Sequence, residues 1–209
     1  MFDFATLTTF IVVVIGLFLV PGPAVLIVLT RTVQGGRKIG LMTSLGVAAG
    51  DYIHTLGAAV GLSAVLMSSA IAFNMIKYAG VVYLIYLGLK AFADKPADHG
   101  ETRKISCINN SKAFFQAVAI EVLNPKTALF FLAFLPQFVS PEKGSVFLQL
   151  AILGLIFATM SLVYTCLLVV AVRPLSRIIG RLGWLKRWQG KIIGTILISL
   201  GLKLAMQHR

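Results

Sequence analysis

The chain has 209 residues, of which 58% are hydrophobic and only 12% are charged. A soluble domain carries roughly 25% charged residues to cover its surface, so this composition excludes an ordinary soluble globule and calls for lipid as the covering medium. The formal net charge of +12 would suggest nucleic acid in a soluble protein, but most Lys and Arg fall in short loops between apolar runs, which excludes that partner and makes them topology signals.

At ~20 residues per span, the chain holds about six spans and little else. The first apolar segment runs from about Phe4 to Leu29 and contains Pro21, Gly22 and Pro23 in its middle. Its start carries Asp3 rather than a basic region, and no small-x-small site follows, so it reads as a span and not as a cleaved signal. Arg31, Arg37 and Lys38 surround the breaker pair Gly35-Gly36. The second segment runs from about Ile39 to Met67 and the third from about Met75 to Ala93. A polar linker, 94–112, divides the chain into a first repeat over 1–93 and a second over 113–209. The fourth segment, about Ala113 to Val139, carries Asn124-Pro125 in its middle; the fifth runs from Val146 to Val172 and the sixth from about Ile192 to Met206.

Lys and Arg counts orient these spans. The loops after segments one, three and five are basic, the last with Arg173, Arg177, Arg181, Lys186, Arg187 and Lys191. The loops after segments two and four carry none and one, Lys143. The basic loops and the linker are therefore expected in the cytoplasm and both termini outside, with Lys203 and Arg209 a minor dissent. Within 173–189, Leu175, Ile178, Ile179, Leu182, Leu185 and Trp188 recur at helical spacing among basic residues. That pattern fits an interfacial amphipathic helix, with a partly extended basic loop as the alternative. Anionic lipid is the expected partner of 173–191 in either case. Tyr78, Tyr83, Tyr86, Trp184 and Trp188 read as interfacial anchors, and Lys77 as a snorkelling side chain.

Both halves open with a proline-broken helix and continue with two further spans. Three spans is an odd number, so the second half enters the membrane inverted. The expected fold is all-α and polytopic, about six transmembrane helices in two three-helix inverted repeats, a plan typical of secondary transporters. Proline lacks an N–H and clashes with the carbonyl four residues earlier. Pro21 and Pro23 thus free the carbonyls of Leu17 and Leu19, and Pro125 that of Glu121. An unpaired carbonyl facing lipid costs several kcal/mol, but one lining a wet cavity is tolerable. The half-helix after each break presents N–H groups and a positive dipole end suited to a carboxylate. A plain kink satisfied by neighbouring helices is the structural alternative.

Asp51 lies about 11 residues into segment two, roughly 16 Å at 1.5 Å per residue and near the midplane of a ~30 Å core. A carboxylate at that depth should face the interior and mark a proton or substrate-ammonium site; the alternative is a polar tie between helices. His54, at i+3, is either a proton carrier or a packing and hydrogen-bonding residue. Glu121 and Lys126 flank the second break, and Lys126 is open to pairing with Glu121, with Asp51 or with a substrate carboxylate. Gly46, Gly50, Gly57 and Gly61 form a small-residue stripe for close helix packing.

Cys107 and Cys166 lie far apart without metal-ligand spacing. No nucleophile triad, zinc motif or P-loop occurs, so the chain reads as a non-enzyme without metal or cofactor, drawing energy from an ion gradient or a partner.

Several blocks carry a family resemblance. They are Val20-Pro21-Gly22-Pro23, Gly46-Val47-Ala48-Ala49-Gly50-Asp51, the run from Ala58 to Ser63, and Asn124-Pro125-Lys126-Thr127-Ala128-Leu129-Phe130-Phe131 followed by Phe134-Leu135-Pro136-Gln137-Phe138. With them the whole chain resembles the lysine exporter (LysE/RhtB) family. The resemblance implies proton-coupled export of amino acids or close derivatives, such as homoserine, homoserine lactone, threonine, leucine or basic amino acids, across the bacterial inner membrane. Substrate carboxylate near Gly22 or Lys126 and ammonium near Asp51, Glu121 or freed carbonyls is the expected arrangement, and the two ends are exchangeable. Export of another small solute or a metal ion, and a non-transporting membrane protein, are the alternatives; a homo-oligomer is compatible with all of them.

Overall fold

The computed structural model describes residues 2–63 and 109–179, with the single positions 75, 78, 82, 85, 86, 89, 195 and 198. The expectations for most of segment three, most of the linker and segment six lie outside the described residues. So do those for Lys77, Tyr83, Cys107 and the side chains of 173–191. Every regular element among the described residues is helical.

Helix α1, Phe4–Leu19, starts where the Asp3 carboxylate accepts from the Thr6 N–H at 2.7 Å. Hydrogen bonds from Thr6, and Lys143 alongside, hold the Asp3 carboxyl well below the usual carboxylate range. The helix stops where Pro21 and Pro23 withdraw two N–H donors. Helix α2, Pro23–Gly57, then departs at 57° to α1. Its regular bonding is interrupted at Gly36, whose φ of 79° and ψ of −179° suit glycine and strain other residues. Residues on either side fold back on each other: a Cβ on Gly40 would collide with Thr32, a contact that eight residues of continuous helix would keep ~12 Å apart. α2 is therefore two arms joined at Gly36, and the second arm relaxes into a π-type turn over Ala58–Leu62.

Helix α3, Asn110–Val122, begins at the Asn109 cap, three residues before the apolar run suggests. Capping chemistry sets the boundary here rather than hydropathy. After the break Asn124 caps α4, Pro125–Leu129, by accepting from the Lys126 N–H, and the two helices bend by 45°. A π-type turn, Phe130–Phe134, and a 3-10 turn, Leu135–Phe138, complete this segment. Helix α5, Val146–Ile179, follows. Its Val146–Val172 portion is long and apolar enough to cross a bilayer alone, and each bent pair meets the same standard when taken as one span. The backbone stays helical into the start of the basic stretch.

The distribution of side chains is that of a lipid-covered protein. Ile11, Val12, Ile15, Leu45, Ile53, Leu56, Leu155, Val163, Leu167 and Val170 point outward, while Arg31, Asp51, Thr55, Glu121, Asn124, Gln149, Ser161 and Thr165 are buried. In water this arrangement would expose a large apolar surface; in lipid it satisfies both sets. Two contacts mark opposite ends of the molecule. Lys143 pairs with Asp3 at 3.1 Å, and the Arg31 guanidinium donates to Gln116 at 2.7 Å. The start of α1 and the 141–143 turn thus share one end, while the Gly36 reversal and the start of α3 share the other.

The core is unequal along that axis. Near the Asp3 end, Phe10, Phe130, Phe131, Phe134, Leu135, Leu150, Leu153 and Phe157 pack with Val13, Val14 and Leu17. The Phe157 ring lies 5.0 Å from both Phe130 and Phe131. Near the Gly36 end the described residues form a smaller cluster, Val28, Val47, Ala117 and Val169, with Ala24 against it.

Part of the glycine stripe seats α3. A Cβ on Gly46 would strike the Phe114 carbonyl and Ala117, and one on Gly50 would meet Glu121 Cβ at 2.6 Å. Around Gly57 and Gly61 nothing among the described residues lies within 4 Å of such a Cβ. Gly50→Ala is expected to destabilise the folded protein by about 1–3 kcal/mol through overpacking, read as a lower thermal midpoint in detergent. Gly36→Val is expected to cost about 1–2 kcal/mol from backbone strain in the same measurement. An unchanged midpoint would contradict the α2–α3 contact in the first case and the reversal in the second.

Candidate functional site at the two helix breaks

Proline chemistry opens two holes in the backbone ladder, and the fold brings them to a common cavity. Its lining draws Leu17, Phe18 and Gly22 from the first break, Asn124, Lys126 and Thr127 from the second, Asp51 from α2 and Glu121 from α3. Helix α5 adds Phe157, Ser161, Tyr164 and Thr165. The cavity volume is about 30 Å³. That is room for about two waters at ~10–15 Å³ each, less than an amino acid needs, so a substrate of that size requires the walls to move.

Of the two carbonyls expected to be freed at the first break, that of Leu17 is met across the fold, and the second one met is that of Val20 rather than Leu19. Lys126 Nζ donates to the Leu17 carbonyl at 2.7 Å and to the Val20 carbonyl at 2.6 Å. Its cation thus sits on the negative end of α1, where a helix dipole favours it. The Val20 N–H also reaches the Leu17 carbonyl. At the second break, His54 Nε2 lies 3.0 Å from the Glu121 carbonyl. A carbonyl only accepts, so Nε2 carries the proton and donates. The His54 ring also stacks on Phe131, centroids 5.7 Å apart. His54 is therefore a hydrogen-bonding partner of the break and is not among the cavity-lining residues.

The acids lie beside each other. Asp51 is 1% exposed and Glu121 2%, and Asp51 faces both Glu121 and Ser161. Glu121 Oε2 accepts from Asn124 Nδ2 at 3.1 Å, and the same amide donates to Thr127 at 3.1 Å. Asp51 Oδ2 has no hydrogen-bond partner among the described residues. Two carboxylates buried side by side repel each other when both are charged. Lys126 lies within ion-pair distance of neither acid; the Asp3–Lys143 contact is the sole ion pair among the described residues. Of the pairings the sequence left open for Lys126, neither acid is taken up in this structure, because the α1 carbonyls hold its ammonium.

Each candidate substrate-site and helix-break residue lies among the described residues. Asp51, Glu121, Lys126, Gly22 and Asn124 line the cavity. Pro21 and Pro23 bracket the first break, and Pro125 opens α4 at the second. Gly22 is where Lys126 lies down: a Cβ there would stand 3.3 Å from Lys126 Cδ. The sequence pattern did not single out Ser161, Tyr164 or Thr165. Ser161 and Thr165 form an i,i+4 hydroxyl pair in a mostly apolar helix, and that was the available signal. The ring of Tyr164 stacks on Phe18 at 5.3 Å, a pairing of distant segments that no local pattern carries.

An uncharacterised membrane protein of Bacillus subtilis (strain 168), YrhP, is 32% identical over 95% of this chain and 97% of its own length. A leucine efflux protein of Salmonella choleraesuis (strain SC-B67) is 28% identical over 94% of this chain and 93% of its own, and one of Salmonella typhimurium (strain LT2) shows the same values. No solved structure matches the chain. The LysE type translocator family matches residues 15–208, nearly the whole sequence, and the chain belongs to that family of membrane transporters.

Proposed function

We propose that this protein exports amino acids by proton antiport, with the cavity between the two helix breaks as the substrate site. The observation that carries the reading is the buried pair Asp51 and Glu121 within a cavity lined by both breaks. Buried acids facing a membrane-depth cavity are costly unless they bind something positive, and here the positive ligand alternates between a proton and a substrate ammonium. One proton entering from outside neutralises the pair and releases the ammonium; its loss to the cytoplasm readies the pair for the next substrate. The carboxylate end then lies toward the start of α2, where Gly22 and Ala24 line the cavity. Apolar walls at Leu17, Phe18, Val25, Val47 and Phe157 favour a neutral, apolar side chain. Similarity to proteins named for leucine efflux supports the same choice.

Two inverted three-helix repeats in the bacterial inner membrane, with both termini outside, remain the architecture that suits this cycle. The matching bends of 57° and 45° and the cross-fold satisfaction of each break support it. The basic segment 173–191 then rests on anionic lipid at the cytoplasmic face.

Counterflow in proteoliposomes is the direct test. Leucine, threonine, homoserine and lysine are offered with and without an imposed pH gradient. Exchange of at least one, accelerated by protons moving in the opposite direction, is expected; no exchange of any of them under either condition would sink the reading. With Asp51→Asn the gradient should lose its grip. A coupling of ~1–3 kcal/mol corresponds to roughly 5- to 150-fold stimulation, and the variant is expected to retain little of it. Unchanged rate and pH dependence would remove Asp51 from the coupling site.

A further inference from the structure

Lys126 offers more than a cap. Its ammonium has three N–H donors, two of which hold Leu17 and Val20. No acid stands within ion-pair distance of it among the described residues. Its charge is met by helix-end carbonyls, equivalent to roughly half an electron, while its side chain lies over Gly22 along the cavity wall. A full carboxylate is the stronger acceptor for such a cation.

We propose that Lys126 is a carboxylate-operated latch between the two broken helices. At rest it fastens the end of α1 to the start of α4. A free carboxylate entering the cavity draws the ammonium away, uncovers the Leu17 and Val20 carbonyls and releases α1 to move against α4. The inference rests on the reading of the cavity as the amino-acid site, and it narrows the substrate class. The site takes molecules bearing both an ammonium, for the Asp51 and Glu121 side, and a free carboxylate for the latch. Decarboxylated amines, esters and lactones satisfy only the acids, leave Lys126 on α1, and are not exported.

The test uses the full-length protein in proteoliposomes, with leucine as the probe. Unlabelled leucine, leucine methyl ester and 3-methylbutylamine, which is leucine without its carboxylate, compete for radiolabelled leucine counterflow. Only leucine is expected to compete. A bimane fluorophore on Leu19→Cys, in a background with Cys107 and Cys166 replaced by serine, reports movement beside the break. Leucine should shift its emission and 3-methylbutylamine should not. Lys126→Gln is expected to show the shifted emission without ligand and to slow leucine counterflow roughly tenfold or more, with part of the rate restored by Lys126→Arg. The wild-type competition arm decides the matter even where Lys126→Gln does not fold. Competition by the amine equal to that of leucine would overturn the latch, as would a silent reporter in protein that exchanges leucine; either leaves the transport reading intact. Absence of counterflow for every amino acid overturns both.

Discussion

Carbonyls released by proline must find donors, and in lipid no solvent supplies them. Here a side chain from the other half of the chain meets a carbonyl at each break, and the Asn124 N–H shares that of Glu121. Lys126 reaches back to Leu17 and Val20, and His54 reaches forward to the Glu121 carbonyl. The bends, the cavity and the approach of α3 to α2 all follow from these reciprocal contacts. Gly50 lets Glu121 come close, which puts the Glu121 carbonyl within reach of His54 and its carboxyl beside Asp51. A bulkier residue at position 50 would push both away at once. Packing, backbone satisfaction and site electrostatics are thus one geometric problem with one solution.

The polar interior follows the same logic. Asn124 caps α4 with its oxygen while its amide holds Glu121 and Thr127. One side chain therefore ends a helix break and orients an acid. Such double use keeps the number of polar groups small, which matters where each unsatisfied group is expensive. Among the described residues Asp51 Oδ2, Ser44 Oγ and Arg31 Nε stand as buried exceptions, and the first of them belongs to the cavity.

Much of this was legible in the residues alone. Pro21, Pro23 and Pro125 announce their breaks because proline acts on its own backbone, a strictly local effect. That Asp51 turns inward follows from the cost of a carboxylate facing lipid, and the Gly46–Gly50 spacing marks the face that α3 uses. Illegible were the partners. Lys126 lies more than a hundred positions from the carbonyls it caps, and at the sequence level an acid is the more obvious mate for a buried lysine. The choice depends on where α1 ends in space. The same holds for Ser161 and Tyr164, whose role comes from α5 crossing the site. The early start of α3 is written in the Asn109 cap, which lies ahead of the apolar run because capping acts on backbone N–H groups and hydropathy does not.

The cavity lies between plugs of different thickness. Toward Asp3 it is stopped by layers of phenylalanine, each ring carrying ~150–250 Å² of surface, whereas toward Gly36 the described residues provide three valines and an alanine. At ~25 cal/mol per Å² of apolar contact, parting the valine side demands far less work. Among the described residues, then, resistance to parting the walls is graded along the molecule, lighter beside Gly36 and heavier beside Asp3.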